Sequence, residues 1–452
     1  MAKQKNSIGD FTQGSVQDGI LRLAGPMILA QIVGVLYNIV DRMFIGHHPE
    51  LGKEALTGLG ILFPLVTLFI AFANWAGQGG AAIFAIERGH GDDQKAAKIQ
   101  GNALFFLLSS ALLLGLISYL FENPILHFFG ATDSSYRYAG EYLRIYLLGV
   151  PFNAISLGLN PFISAQGYPK KGMLTVIIGA VLNLILDPLL IYYFQLGIKG
   201  AAIATVISQA VSAIWILHFL SAKKTPVRLS HEALKPRLAV LTQILTLGFA
   251  NFIFQLTNSL TLAVANTTLL RYGGDLHLGV MTVIISIRQM FSMPINGLAV
   301  AAKPFLSFNY GAEMKDRVVE GIKYVTKICA VLTILTTAII FAVPQLLLSL
   351  FNSDPQFISA GVLPLRIYFS MFFFMSFQMV GQSTFTALGM AKEASFFSLL
   401  RKVFLILPLT LLLPKLSFLG VFGVYLAEAL SQLIGGTACY LTMWKRVVKS
   451  PR

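Results

Sequence analysis

Apolar runs long enough to cross a bilayer recur along the whole chain, and no other feature constrains its fold as strongly. A membrane-spanning helix needs about 20 predominantly apolar residues, and such segments satisfy their own backbone hydrogen bonds only as helices or closed barrels. Twelve runs are read here, at 20–45, 55–86, 100–121, 139–164, 172–194, 200–221, 239–270, 278–309, 325–350, 358–388, 396–414 and 418–444. Charged residues are 12% and hydrophobic ones 56% of the 452 positions, against about 25% charged in a soluble domain. The mean hydropathy is +0.72. The expected fold class is an all-α membrane protein. The polar N-terminus leads into a run that continues as a full span, so no cleavable signal is read. Cys329 and Cys439 lie inside apolar segments and imply no disulfide framework.

The net charge of +14 is explained by its distribution, without nucleic acid. With the N-terminus in the cytoplasm, the loops on that side carry Lys3, Lys5, Arg88, Lys95, Lys98, Lys170 and Lys171. The same side holds Lys223, Lys224, Arg228, Lys235 and Arg237, then Lys315, Arg317, Lys323 and Lys327. Lys392, Arg401, Lys402, Lys445, Arg446, Lys449 and Arg452 complete it. Opposite loops carry only Lys53, Arg137, Lys199, Arg271 and Lys415. This positive-inside pattern places both termini in the cytoplasm of a multi-pass plasma-membrane protein.

The halves repeat each other. Leu-Arg-Ile-Tyr at 143–146 recurs at 365–368, an offset of 222, and Ala-Gln-Gly at 165–167 falls on Ala-Leu-Gly at 387–389. Gly197, Gly200, Ser208 and Gln209 match Gly420, Gly423, Ser431 and Gln432 at an offset of 223, and Gly89 falls on Gly311. A tandem duplication of six spans inserts both halves in one orientation. The expectation is two six-helix lobes related by a pseudo-twofold axis along the membrane normal, with a cavity between them. The lobes are 1–221 and 239–452, joined by a basic linker at 222–238.

No phosphate-binding Gly-x-x-x-x-Gly-Lys-Ser/Thr loop occurs, and the seven histidines show no metal-ligand spacing. Enzyme chemistry and ATP-driven pumping are therefore not indicated, and no cofactor is expected. Buried acids stand out instead. Asp41 follows fifteen uncharged residues that begin at Pro26, and a carboxylate in an apolar helix costs roughly 2.5–3.5 kcal/mol on insertion scales. Asp187 lies in Asn183-Leu-Ile-Leu-Asp187-Pro188, where Asn183 shares its helix face. Pro188 leaves the Leu184 carbonyl without its helical donor. Two acids, an amide and a bare carbonyl suit a proton relay or a Na⁺ site. Arg42 points about 100° away from Asp41 and suits snorkelling better than pairing. Arg144 and Arg366, at equivalent places, are read as structural. Arg288 and Lys303 either line the cavity or neutralise an acid, and Glu428 is a candidate second proton site. The aromatic and Met-rich run 368–379 fits a soft binding wall or lipid-facing packing.

With LYNIVDRMFIG at 36–46, EALTGLGILFP at 54–64, NLILDP at 183–188 and FLSFNYGA at 305–312, the chain resembles the multidrug and toxic compound extrusion (MATE) family. The first and last motifs, with His47 after the glycine, look most like its bacterial multidrug subgroup. The resemblance implies a V-shaped, monomeric antiporter exporting cationic or amphipathic drugs in exchange for H⁺ or Na⁺. It assigns Asp41, Asp187, Asn183 and Thr205 to the coupling-ion site, and Pro26 to a bend in the first span. Tyr37 and Asn153 become cavity-wall residues that meet substrate, joined from the second lobe by Gln255 and Arg288. Stretches 251–255 and 376–382, where some branches carry acids, hold amides here. A flippase for lipid-linked precursors is the alternative. It would need a strongly basic interior, and the sequence places few cations at membrane depth, chiefly Arg288 and Lys303.

Overall fold

The computed structural model describes residues 11–46 and 52–449, without the side chains at 35, 37–43, 45, 46, 52–56, 133, 134, 231 and 259. Lys3, Lys5, Arg42, His47, Lys53 and Arg452 therefore lie outside the described side chains. Helices follow one another without strands among the described residues. The first seven are α1 (Val16–Gly46), α2 (Gly52–Gly89), α3 (Asp93–Leu120), short α4 (Glu122–Phe128), α5 (Asp133–Ala165), α6 (Pro169–Pro188) and α7 (Gly197–Ser221). Then come α8 (Leu238–Gly311), α9 (Lys315–Ala342), short α10 (Pro344–Ser349), α11 (Pro355–Phe369), α12 (Phe373–Ala387), α13 (Ala391–Leu399), α14 (Leu407–Leu412), α15 (Phe422–Ser431) and α16 (Thr437–Met443).

Eight of the described helices are long and apolar enough to cross a membrane, and α11 with α12, bent by 45°, forms a ninth span. Helix α8 is two spans. Gly274, at φ 65° and ψ −166°, breaks it between the expected ends at 270 and 278. Helix α1 and the run from α15 to α16 complete the twelve.

The chain falls into two compact units, 25–252 and 253–452, the second also taking residues 14–24. Helix α1 thus changes unit at Ala24–Gly25, immediately before Pro26. In the first unit the opening turns of α8 lie against α2. Trp75 Nε1 donates to the Leu245 carbonyl at 2.7 Å, and its ring stacks on Phe252 at 4.2 Å. Gly79 and Gly248 permit that approach, because a Cβ on either would collide with the facing backbone. The basic linker is docked on the first unit. Gln166 accepts from the Val227 N–H at 3.1 Å and donates to its carbonyl at 3.3 Å. Asn102 accepts from the Arg237 N–H at 2.7 Å.

The duplication is visible in backbone and side chains alike. Gly167 and Gly389 adopt φ 88° and 74°, and Gly197 and Gly420 adopt φ 54° and 49°. Such left-handed turns suit glycine, which has no Cβ to clash. Asn160 donates to the Gly172 carbonyl at 3.0 Å, and Gln382, at the same offset, donates to Ala394 at 2.7 Å. Arg144 and Arg366 differ in their partners. Arg144 pairs with Glu122 at 2.8 and 3.0 Å, whereas Arg366 donates to the Phe341 carbonyl at 3.0 Å. Cys329 and Cys439 are buried free thiols.

Candidate functional site

The first polar site belongs to the first unit, between α6 and α7. Asn183 and Asp187, one helical turn apart, are 1% and 0% exposed, and Asn183 Nδ2 donates to Asp187 Oδ1 at 3.2 Å. Helix α6 ends at Pro188 and passes into a π-helical turn at Leu189–Tyr193, a distortion common at functional sites. Helix α7 runs back along α6. A Cβ on Gly200 would meet the Leu190 carbonyl at 2.7 Å, and Ser212 Oγ donates to the Thr175 carbonyl at 3.2 Å. Thr205 lies between these two contacts, hence at the level of Asn183 and Asp187. Asn183 Oδ1, Thr205 Oγ1 and Ser208 Oγ are buried and find no hydrogen-bond partner among the described residues. Oxygen atoms of this kind suit a hard cation, and each costs about 1–3 kcal/mol while it remains unsatisfied.

Helix α1 reaches the same neighbourhood. The Tyr192 hydroxyl donates to the Phe44 carbonyl at 2.5 Å, and the two rings meet edge to face at 6.4 Å. Asp41 is one turn before Phe44 on that helix. The side chains of Asp41 and Tyr37 themselves lie outside the described residues. Asn153, buried on α5, donates to the Tyr146 hydroxyl at 3.3 Å. Pro26 lies inside α1.

A second polar site, in the second unit, differs from the sequence reading. Arg401 and Lys402 were expected among the cytoplasmic loop charges, yet they are 1% and 2% exposed. They lie in a π-helical stretch, Leu400–Ile406, within the span. The expectation that Arg288 and Lys303 are the chief cations at depth is corrected accordingly. Arg401 Nη2 and Arg288 Nη2 both reach Glu428 Oε1, at 2.6 and 2.9 Å, and Gln432 Nε2 donates to the same oxygen at 3.0 Å. The acid that Arg288 neutralises is therefore Glu428. Arg288 Nη1 also donates to the Tyr368 hydroxyl at 2.7 Å. Lys402 Nζ donates to Asn258 Oδ1 at 2.8 Å and stands 5.2 Å from the centre of the Phe254 ring. Room for Arg401 comes from Gly435, where a Cβ would press on Arg401 Cβ at 3.2 Å. Gln255 and Lys303 are half-buried on α8. The sequence signal for this site was the offset of 223, which places Glu428 opposite Thr205.

Among the described residues no three His, Cys, Asp or Glu side chains gather in a metal-binding group. The family model MatE matches residues 26–189 and 245–412, once in each half. The multidrug export protein MepA of Staphylococcus haemolyticus is 24% identical over 437 residues, covering 96% of this chain and 94% of its own. MepA of Staphylococcus aureus is 23% identical over 434 residues, 95% of each chain. A crystal structure of MATE in the bent conformation superposes with a TM-score of 0.92 at 23% identity, over 98% of each chain. A MOP superfamily transporter from Pyrococcus furiosus, described by a binding pocket of reverse polarity that suggests a different function, gives 0.91 at 24% identity. That match covers 98% of this chain and 99% of its own. These likenesses identify the fold as the all-α, twelve-span, two-lobe arrangement expected from the sequence.

Proposed function

Because the chain belongs to the MATE family of multidrug transporters, we propose that it is a secondary antiporter exporting cationic or amphipathic drugs in exchange for H⁺ or Na⁺. It is a multi-pass membrane protein, and we place it in the bacterial plasma membrane as a monomer with both termini cytoplasmic. Its relatives are multidrug export proteins. The observation that carries the antiport reading is the buried Asn183–Asp187 pair with the unsatisfied oxygens of Asn183, Thr205 and Ser208 beside it.

A proton or Na⁺ arriving there cancels negative charge in a buried site, where the low dielectric makes that charge matter most. Asp41 on α1 and Asp187 on α6 then cease to repel, and the cation and the drug favour different states of the transporter. Pro26 is the hinge in this scheme. It lacks an N–H and leaves the Arg22 carbonyl free, and it follows the point where α1 passes from one compact unit to the other. Tyr37, Asn153, Gln255 and Arg288 remain the proposed substrate contacts.

The test is ethidium efflux from proteoliposomes under an imposed ΔpH or ΔNa⁺. The parent should follow one gradient, and Asp41→Asn should lose that dependence. Efflux that ignores both gradients and is unchanged in the variant would sink the proposal. One observation favours a second reading, a flippase for lipid-linked precursors: burial of Arg401 and Lys402 makes the second unit's interior more basic than the sequence implied. Glu428 offsets part of that charge, so antiport stands first.

A further inference from the structure

We propose that the second unit holds an anion-binding site, built by Arg401, Lys402 and Arg288, for the charged head of an anionic amphiphile. This goes beyond the antiport reading and stands whichever ion couples.

The charge balance comes first. Three cationic side chains meet one carboxylate, and Glu428 Oε1 serves two of them, Arg401 at 2.6 Å and Arg288 at 2.9 Å. Lys402 has a neutral partner, the Asn258 amide oxygen at 2.8 Å. Charge buried without a partner is costly in a protein interior and in a membrane span. A bound anion is the direct remedy.

The donors are also placed to receive one. Arg401 is 1% exposed, and its Nε and Nη1 find no acceptor among the described residues. With Nη2 committed to Glu428, Nε–H and Nη1–H remain as two separate charged donors, each able to bond an oxygen of a carboxylate, sulfonate or phosphate. Lys402, its neighbour in the same π-helical stretch, adds a compact charge. Arg288 is the most accessible of the three, its side chain 21% exposed.

The surroundings select an amphiphile over a bare inorganic ion. Lys402 stands over the Phe254 ring, and Arg288 over the Tyr368 ring at 5.7 Å. Tyr368 continues into Phe369 at 5.5 Å and Phe372 at 4.9 Å. Tyr368, Phe369 and Phe372 are packed in the interior, so an anionic head held by the cations would carry its apolar body against the partly exposed Phe254 ring.

The test uses the full-length protein in nanodiscs of zwitterionic phosphatidylcholine, titrated into 5-carboxyfluorescein at fixed ionic strength and followed by fluorescence anisotropy. The parent should bind saturably. Lys402→Gln should weaken binding at least tenfold and Lys402→Arg should stay within threefold, with melting temperatures confirming that both are folded. Arg401→Gln should weaken it at least tenfold as well. Glu428→Gln, which frees two guanidinium groups, should tighten binding at least threefold, an outcome that a purely structural ion pair does not produce. Native mass spectrometry of the parent and Arg401→Gln with phosphatidylglycerol separates the sources. Lipid retained only by the parent assigns a lipid headgroup, whereas dye binding without retained lipid assigns a soluble organic anion. No saturable dye binding together with no retained lipid would overturn the proposal, as would Lys402→Gln and Arg401→Gln binding like the parent.

Discussion

The offset that carries Gly197 onto Gly420 also carries Thr205 onto Glu428, Ser208 onto Ser431 and Gln209 onto Gln432. The polar site of each unit therefore grows from the same place in the ancestral repeat, on the span that begins at those glycines. In the first unit that span offers a hydroxyl, and the charge comes from Asp187 on α6 and, by our proposal, Asp41 on α1. In the second unit it offers the carboxylate of Glu428, and the neighbouring spans supply Arg288, Arg401 and Lys402. Packing follows the same exchange. Gly179 in the first repeat faces Ser212, and in the second repeat the corresponding positions hold Arg401 facing Gly435. The first repeat pairs two small residues there, whereas in the second the glycine on one helix makes room for the Arg401 side chain on the other. Duplication thus kept the backbone plan while one site became acidic and the other basic. We read the first as the ion-coupling site and the second as an anion site with a structural ion pair at its centre.

The largest effect that would break this contrast belongs to Glu428. Removing one partner of a buried pair costs about 3–5 kcal/mol, so Glu428→Gln should lower the melting temperature markedly in detergent. A melting temperature equal to the parent's would mean the pair is not central to the second unit. Asp187→Asn should behave oppositely. The amide oxygen at that position can still accept from Asn183 Nδ2, so stability should change by less than about 1 kcal/mol. Gradient-driven efflux should nevertheless fall at least tenfold.

Smaller effects sharpen the shared ancestry. Asn160→Ala and Gln382→Ala each remove the side-chain amide that holds a carbonyl twelve residues on. Each should cost about 1 kcal/mol by chemical denaturation, and similar losses would confirm that the contact survives from the common repeat. Thr205→Val removes a hydroxyl that has no partner among the described residues. By removing an unsatisfied buried hydroxyl it should raise the melting temperature slightly, and it should raise the coupling-ion concentration needed for half-maximal efflux about threefold.

Much of the scaffold could be read from residues alone. The spans follow from apolar run length, and the break in α8 falls where the gap between two runs put it. Gly167 with Gly389, and Gly197 with Gly420, marked the duplication before their positive φ angles were seen. The Asn183–Asp187 contact follows from helical spacing. The second site was illegible for a physical reason. Arg401 and Lys402 follow Lys392 closely, and a cluster of basic residues near a span end resembles an ordinary cytoplasmic flank. Their burial depends on Glu428, Asn258 and Gly435, which lie on other helices and which no local pattern connects to them. The docked linker was hidden in the same way, since Gln166 meets Val227 only through tertiary folding.

The most direct test of this division of labour is ion movement driven by a drug gradient. Asp187→Asn and Lys402→Gln proteins would be reconstituted with an internal pH dye or a Na⁺ indicator, and an ethidium gradient then imposed. The account predicts that Asp187→Asn abolishes drug-driven ion flux while Lys402→Gln retains it near the parent level. Flux preserved in Asp187→Asn and lost in Lys402→Gln would place the coupling in the second unit and contradict it.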